Sequence, residues 1–170
     1  MTDLMTRRLR LRRLTLKDAP FIVDLLNQRS FLQNIGDKGV RSIDDACNYL
    51  TNGPLAMYEA HGHGLLAVDL RQDGTTIGIC GLLARDELEH VDLGLALLPK
   101  YWRRGYAAEA SAATLEYAST TLGLQRVAAV TAMENPGSIA LLRKLGFHEH
   151  GTISFGAGGA PSRLFFIDLG

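Results

Sequence analysis

The stretch "LGLALLPKYWRRGYAAEASAATLEYA", Leu93 to Ala118, limits the fold more than any other part of the chain. It reads as a strand ended by Pro99, a short turn, and a helix from about Ala107 to Thr121. The first turn of a helix leaves backbone N–H groups unpaired at the positive end of the helix dipole, and an anion can sit on them. Close approach needs small residues, which Gly105, Ala107 and Ala108 supply. Arg103 and Arg104 add charge and fixed donors, and Glu109 falls in the first turn. Ala108, Ala112, Leu115 and Leu122 share one helical side, which reads as the face laid on a sheet. The spacing is neither a Walker loop nor a dinucleotide fingerprint, since G-x-x-x-x-G-K-[ST] and G-x-G-x-x-G are both absent.

Around this segment the chain alternates period-2 and helical patterns. "RRLRLRRL", Arg7 to Leu14, reads as an edge strand with a wet, arginine-rich face. A helix follows, capped at Thr15 or Asp18, with Pro20 in its first turn. A second opens on a Ser42–Asp45 capping box and ends at Gly53–Pro54. "FLQNIGDKGV" between them reads as a loop. "GLLAVDL" and "TTIGICGLLA" form a hairpin across Asp73–Gly74. After the opening segment come the strand "RVAAVTAM", the short helix "PGSIALLRKL" ending at Gly146, and the closing strands "FHEHGTISF" and "SRLFFIDL". The order β-α-α-β-β-β-α-β-α-β-β is that of an α+β, or mixed α/β, sheet in one domain spanning 1–170.

A chain of 170 residues suits a single core. Its 18 basic and 18 acidic residues cancel, which disfavours non-specific nucleic-acid binding. No apolar run reaches the length of a membrane span, and "MTDLMTRRLRLRR" lacks the apolar core of a signal peptide. Cys47 and Cys80 lack metal-type spacing, so a cytoplasmic location is expected. "HGHG" at His61 to Gly64 reads as a turn rather than a metal site, and Cys80 as core.

Trp102-Arg103-Arg104-Gly105-Tyr106-Ala107 resembles the acetyl-CoA motif [QR]-x-x-G-x-[GA] of the GNAT N-acetyltransferases. The longer "PKYWRRGYAAEA" is similar to the form with Trp found in the RimJ/RimL-like branch, which acetylates ribosomal-protein N-termini. A second motif, "NPGSIALLRKLGF" from Asn135 to Phe147, follows in the family's order, and "RRLRLRRLTLKDA" resembles the branch's first strand and helix. The resemblance covers nearly the whole chain. It implies a central, mostly antiparallel sheet of roughly six to seven strands, splayed between the fourth and fifth and flanked by about four helices.

The resemblance also implies site roles. The amides of Arg103, Arg104, Gly105, Tyr106, Ala107 and Ala108 would hold the pyrophosphate of acetyl-CoA. Leu95, Ala96 and Leu97 would pair by backbone with the pantetheine arm. Asn135 would bond the pantetheine as well as capping its helix, and Ser138 would act as general acid to the CoA sulfur. Asp92, where the branch often has Glu, and His90 on the same strand face are the candidate bases. No metal is implied, and family members are often homodimers.

The reaction expected is direct attack by a neutral amine on the thioester. An α-amine, with pKa about 7.7–8.0, is roughly one-tenth neutral near pH 7 and asks little of a base. The acceptor is expected between "NQRSFLQNIGDKGV" and "SFGAGGAPSR". Neither segment carries a cluster of acids, so a peptide N-terminus leads. A small-molecule amine (amino acid, polyamine or antibiotic) and a non-catalytic acyl-CoA-binding module remain as alternatives.

Overall fold

The computed structural model describes residues 2–156 and 158–170. Ala157, inside the Gly-rich segment expected to border the acceptor, lies outside them. The described chain forms one eight-stranded sheet: β1 (Leu4–Met5), β2 (Leu9–Arg13), β3 (Leu65–Leu70), β4 (Thr76–Leu83), β5 (Asp92–Leu97), β6 (Arg126–Ala132), β7 (His148–Ser154) and β8 (Pro161–Asp168). Spatial order is β1-β2-β3-β4-β5-β6-β8-β7, and every neighbouring pair is antiparallel except β5–β6. The helices are α1 (Ala19–Leu26), α2 (Arg29–Asn34), α3 (Ile43–Leu50), α4 (Ala56–His61), α5 (Tyr106–Thr120) and α6 (Pro136–Leu145).

Two apolar clusters cover the two sheet faces. On one, α5 packs with Leu9, Leu11, Val68, Ile77, Val127 and Phe165. On the other, α1 and α3 pack over Ala67, Ile79 and Ala96. Among the described residues, no helix is long and apolar enough to cross a membrane.

Four expectations need correction. The arginine-rich strand is not an edge, because Leu4 and Met5 pair outside it with Leu11 and Arg10. Arg7 and Arg10 are exposed as expected, Arg10 beside Asp3, but Arg8 pairs with Glu109 and Arg12 with both Asp18 and Asp69. The "loop" after α1 contains α2, pinned by buried Phe31. Gly53–Pro54 does not end α3. The chain widens into one π turn, Thr51–Leu55, and continues as α4 to a left-handed Gly62. Proline cannot donate and its ring crowds the preceding turn, and a π turn makes room for both.

The last correction concerns α5. Its buried face is Ala110, Ser111, Thr114, Leu115 and Ala118, whereas Ala112 is exposed. Thr114 tolerates burial because its hydroxyl donates to the Ala110 carbonyl (2.9 Å) and touches Cys80 Sγ (3.4 Å).

The other start and stop signals act as the sequence indicates. Thr15–Asp18 and Ser42–Asp45 both form capping boxes. Arg12 then ties α1 to the sheet: Nη2 meets Asp18 Oδ1 at 2.9 Å and Nε meets Asp69 Oδ2 at 2.7 Å. Burial would raise the Asp18 carboxyl, but hydrogen bonds from Arg12 and the Thr15 backbone hold it below its ordinary value. Stability from a lowered carboxyl is present at neutral pH and lost as pH falls through the folded value. Arg12→Ala is therefore expected to cost about 3–5 kcal/mol at pH 7 by leaving two buried carboxylates unpaired. The deficit should shrink below about pH 4 as Asp18 protonates. Urea unfolding at the two pH values checks both.

Candidate active site

The site begins where β5 and β6 part. Their pairing has one register position, Asp92 with Ala128, and the Ala128 amide donates to the Val91 carbonyl at 2.8 Å. Past it the strands diverge. On the other flank of β5, the Leu98 amide donates to the Ile77 carbonyl of the β4 side at 2.9 Å. Backbone groups alternate sides along a strand. Leu95 and Leu97 thus turn N–H and C=O toward the opening, and Ala96 turns its own toward β4. The Trp102 indole donates to the Leu97 carbonyl at 2.9 Å. Leu95 is left with both groups facing the gap, and Leu97 with its N–H. Of the three expected backbone partners, Leu95 suits an extended arm best, while Ala96 only lines the wall.

The gap opens into a cleft of about 700 Å³. One end is bounded by Trp102, Arg103, Gly105, Ala107 and Ala108, with Asn135 and Ser138 across from them. The other is bounded by Leu25, Gln28, Ser30, Phe31, Asn34 and Ile35 of α1 and α2. β5 supplies Leu95, Ala96 and Leu97 between, and β6 supplies Val130, Thr131 and Ala132.

At the first end, a 3₁₀ turn, Pro99–Tyr101, leads to Arg103, whose φ of 61° is left-handed. That conformation costs a side-chain-bearing residue about 1–2 kcal/mol. Gly105, at φ 81°, occupies the N-cap of α5 and has no side chain with which to cap it. The first helical amides are thus presented bare beside two arginines, which is what an anion requires. Arg104 and Tyr106 belong to the same turn without lining the cleft. Across the gap, the Asn135 side chain caps α6 by accepting from the Ser138 amide at 3.4 Å. Both face the cleft, so capping leaves them available to a ligand.

The model of the acetyltransferase (GNAT) domain matches residues 8–148. The chain belongs to the GNAT acetyltransferase family. Among relatives, the uncharacterized N-acetyltransferase YoaA of Bacillus subtilis is 29% identical over 150 residues, covering 87% of this chain and 84% of that protein. In fold, the chain is similar to RimL, a ribosomal L7/L12 α-N-protein acetyltransferase solved with CoA, at a TM-score of 0.84 and 12% identity, covering 98% of each chain. It is also similar to spermidine N-acetyltransferase from Vibrio cholerae, solved with CoA and spermine, at a TM-score of 0.78 and 23% identity, covering 96% and 97%. This GNAT acetyltransferase is an acyltransferase whose donor is acetyl-CoA. The uncapped turn and the open edge of β5 suit that donor's anionic and amide-bearing parts.

The remaining candidates lie elsewhere in this GNAT domain. Asp92 is buried at the closed root of the splay, on the sheet face shared with Ala96, and does not line the cleft. Burial pushes its carboxyl up, while Arg85, whose Nε sits 3.0 Å from Oδ1, pulls it down. The net direction is upward. Arg85 also stacks on Phe155, 5.1 Å from the ring centre. His90 precedes β5 and packs edge-on against Phe166, again outside the cleft.

Cys80 is fully buried, and burial pushes its thiol up to about 11. His63 is buried, with Nδ1 2.9 Å from the Leu82 carbonyl. Among the described residues, no His, Cys, Asp and Glu cluster suits a metal. Gln28, Ser30, Phe31, Asn34 and Ile35 come from the segment expected to border the acceptor, whereas Leu25 of α1 was not expected there and no described residue of "SFGAGGAPSR" lines the cleft.

Gly105→Glu tests the turn. It places a carboxylate and a side chain where φ is 81° and an added Cβ would lie 3.1 Å from Arg8 Nη2. Acetyl-CoA binding is expected to weaken more than about tenfold by calorimetry, with the circular dichroism of the fold retained. Unchanged affinity would remove the turn from the donor site.

Proposed function

We propose that this N-acetyltransferase transfers the acetyl group directly to the α-amine of a peptide or protein N-terminus, the activity of the RimJ/RimL-like branch. The observation that carries this reading is the make-up of the acceptor end of the cleft. Leu25, Phe31 and Ile35 are apolar, while Gln28, Ser30 and Asn34 offer neutral hydrogen-bonding groups. Such a wall suits one amine on an otherwise neutral chain. The α1–α2 wall supplies no carboxylate, and Glu134 after β6 is the one acid among the described residues lining the cleft, too few for the several ammonium groups of a polyamine, which would be costly to desolvate unpaired. The similarity in fold to RimL agrees with a peptide acceptor. The similarity to spermidine N-acetyltransferase makes a polyamine the alternative to exclude.

In this reading the pyrophosphate rests on the amides of residues 103 to 108. The pantetheine adds beside Leu95 and reaches Asn135, so the thioester lies at the divergence of β5 and β6. The amine enters from the α1–α2 side, and its nitrogen attacks the thioester carbon. The C–S bond breaks as the C–N bond forms. Ser138 gives a proton to the departing thiolate, and the proton lost by nitrogen passes through water to Asp92. His90 takes no part.

Acceptor profiling is the test. A panel of short peptides should be acetylated and spermidine should not; turnover of spermidine alone would replace this reading. With a peptide, kcat/KM should rise with pH and level off near pH 8, where the α-amine becomes neutral. Asp92→Asn should lower kcat/KM roughly tenfold or more with acetyl-CoA affinity unchanged, and no change would hand the proton to bulk water.

A further inference from the structure

One residue outside the cleft touches the uncapped turn from behind. Arg8, just before β2, reaches α5 and the turn ahead of it by four contacts. Its Nε donates to Glu109 Oε1 at 2.8 Å and its backbone N–H to Glu109 Oε2 at 2.9 Å. Its Nη1 donates to the Arg104 carbonyl at 2.9 Å. The guanidinium lies 4.3 Å from the Tyr106 ring centre. Thr6 also donates its hydroxyl to Glu109.

Glu109 explains why this matters. A carboxylate in the first turn of a helix is drawn to the same positive pole that an anionic ligand needs. Left bare, it would compete with the ligand and repel it. Burial would raise its carboxyl, but the bonds from Thr6 and Arg8 hold it below its ordinary value, so it stays ionised. Arg8 cancels that charge on the side of the turn away from the cleft.

We infer that Arg8 is a positioning residue for the donor: it neutralises Glu109 and anchors Arg104, so that the first turn of α5 stays receptive to the pyrophosphate. The inference rests on the reading that this turn holds the pyrophosphate. It differs from a staple between β2 and α5, since a staple would serve every ligand alike.

Calorimetry with two donors separates these ideas. Acetyl-CoA carries the pyrophosphate; S-acetylpantetheine has the same thioester arm without it. Arg8→Ala is expected to weaken acetyl-CoA about tenfold and S-acetylpantetheine less than about twofold. Removing the carboxylate as well, in Arg8→Ala/Glu109→Gln, should bring acetyl-CoA back to within roughly threefold of the wild type. Arg8→Lys keeps the charge and should also stay within roughly threefold, which keeps the test open if Arg8→Ala does not fold. Equal weakening of both donors, no recovery in the double variant, or a tenfold loss with Lys would each overturn the neutralising role. If the wild type binds both donors equally, the pyrophosphate assignment itself falls, and this inference with it.

Discussion

A single parallel bridge organises this molecule. Asp92 and Ala128 close the sheet between β5 and β6 at one point, and the strands then separate. Sheets pay for separation, because backbone N–H and C=O groups kept from both water and a partner are costly. Here the open groups belong to Leu95 and Leu97, and Trp102 takes only the Leu97 carbonyl. The sheet is thus left incomplete at the point where a narrow extended ligand can complete it. The antiparallel pairs on either side hold the two strands apart, with β4 fixing β5 and β8 fixing β6.

The second constraint is electrostatic and follows from the first. β5 runs into a turn whose left-handed residues, Arg103 and Gly105, deliver α5 with its N-terminus at the mouth of the gap. Helix dipole, bare amides and arginines converge there. The cleft therefore runs from the bare amides beside Arg103 to the neutral side chains of α1 and α2, with Glu134 and Lys144 also among its lining. The cofactor thioester needs no covalent relay through Cys80, which is buried against Thr114 on the α5 side.

Local chemistry was the part written legibly in the residues. Gly105, Asn135 and Pro136 act through their own backbone preferences, so the uncapped turn before α5 and the start of α6 could be read directly. The capping boxes at Thr15 and Ser42 were legible for the same reason. What could not be read depends on partners distant in sequence. Arg8 looked like one charge on a wet edge, and only the fold brings it to Glu109. The period of "SIDDACNYLTNG" ended sensibly at Gly53–Pro54, yet a π turn carried the helix past it. Ala112 lies on a plausible apolar stripe, but packing on β4 selected the face with Ser111 and Thr114 instead. Asp92 opens β5, but His90 precedes it and does not share the strand as expected. Arg85 and Phe166 decide what each side chain meets, and neither partnership leaves a local sequence mark.

The most direct test of the account is a calorimetric titration of the protein with acetyl-CoA beside CoA and ATP. Acetyl-CoA and CoA should both bind in the micromolar range and ATP far more weakly, because only the first two carry a pantetheine arm to pair with the open edge of β5. Equal binding of all three would mean that the arm finds no partner between β5 and β6. No binding of acetyl-CoA would contradict the account at its centre.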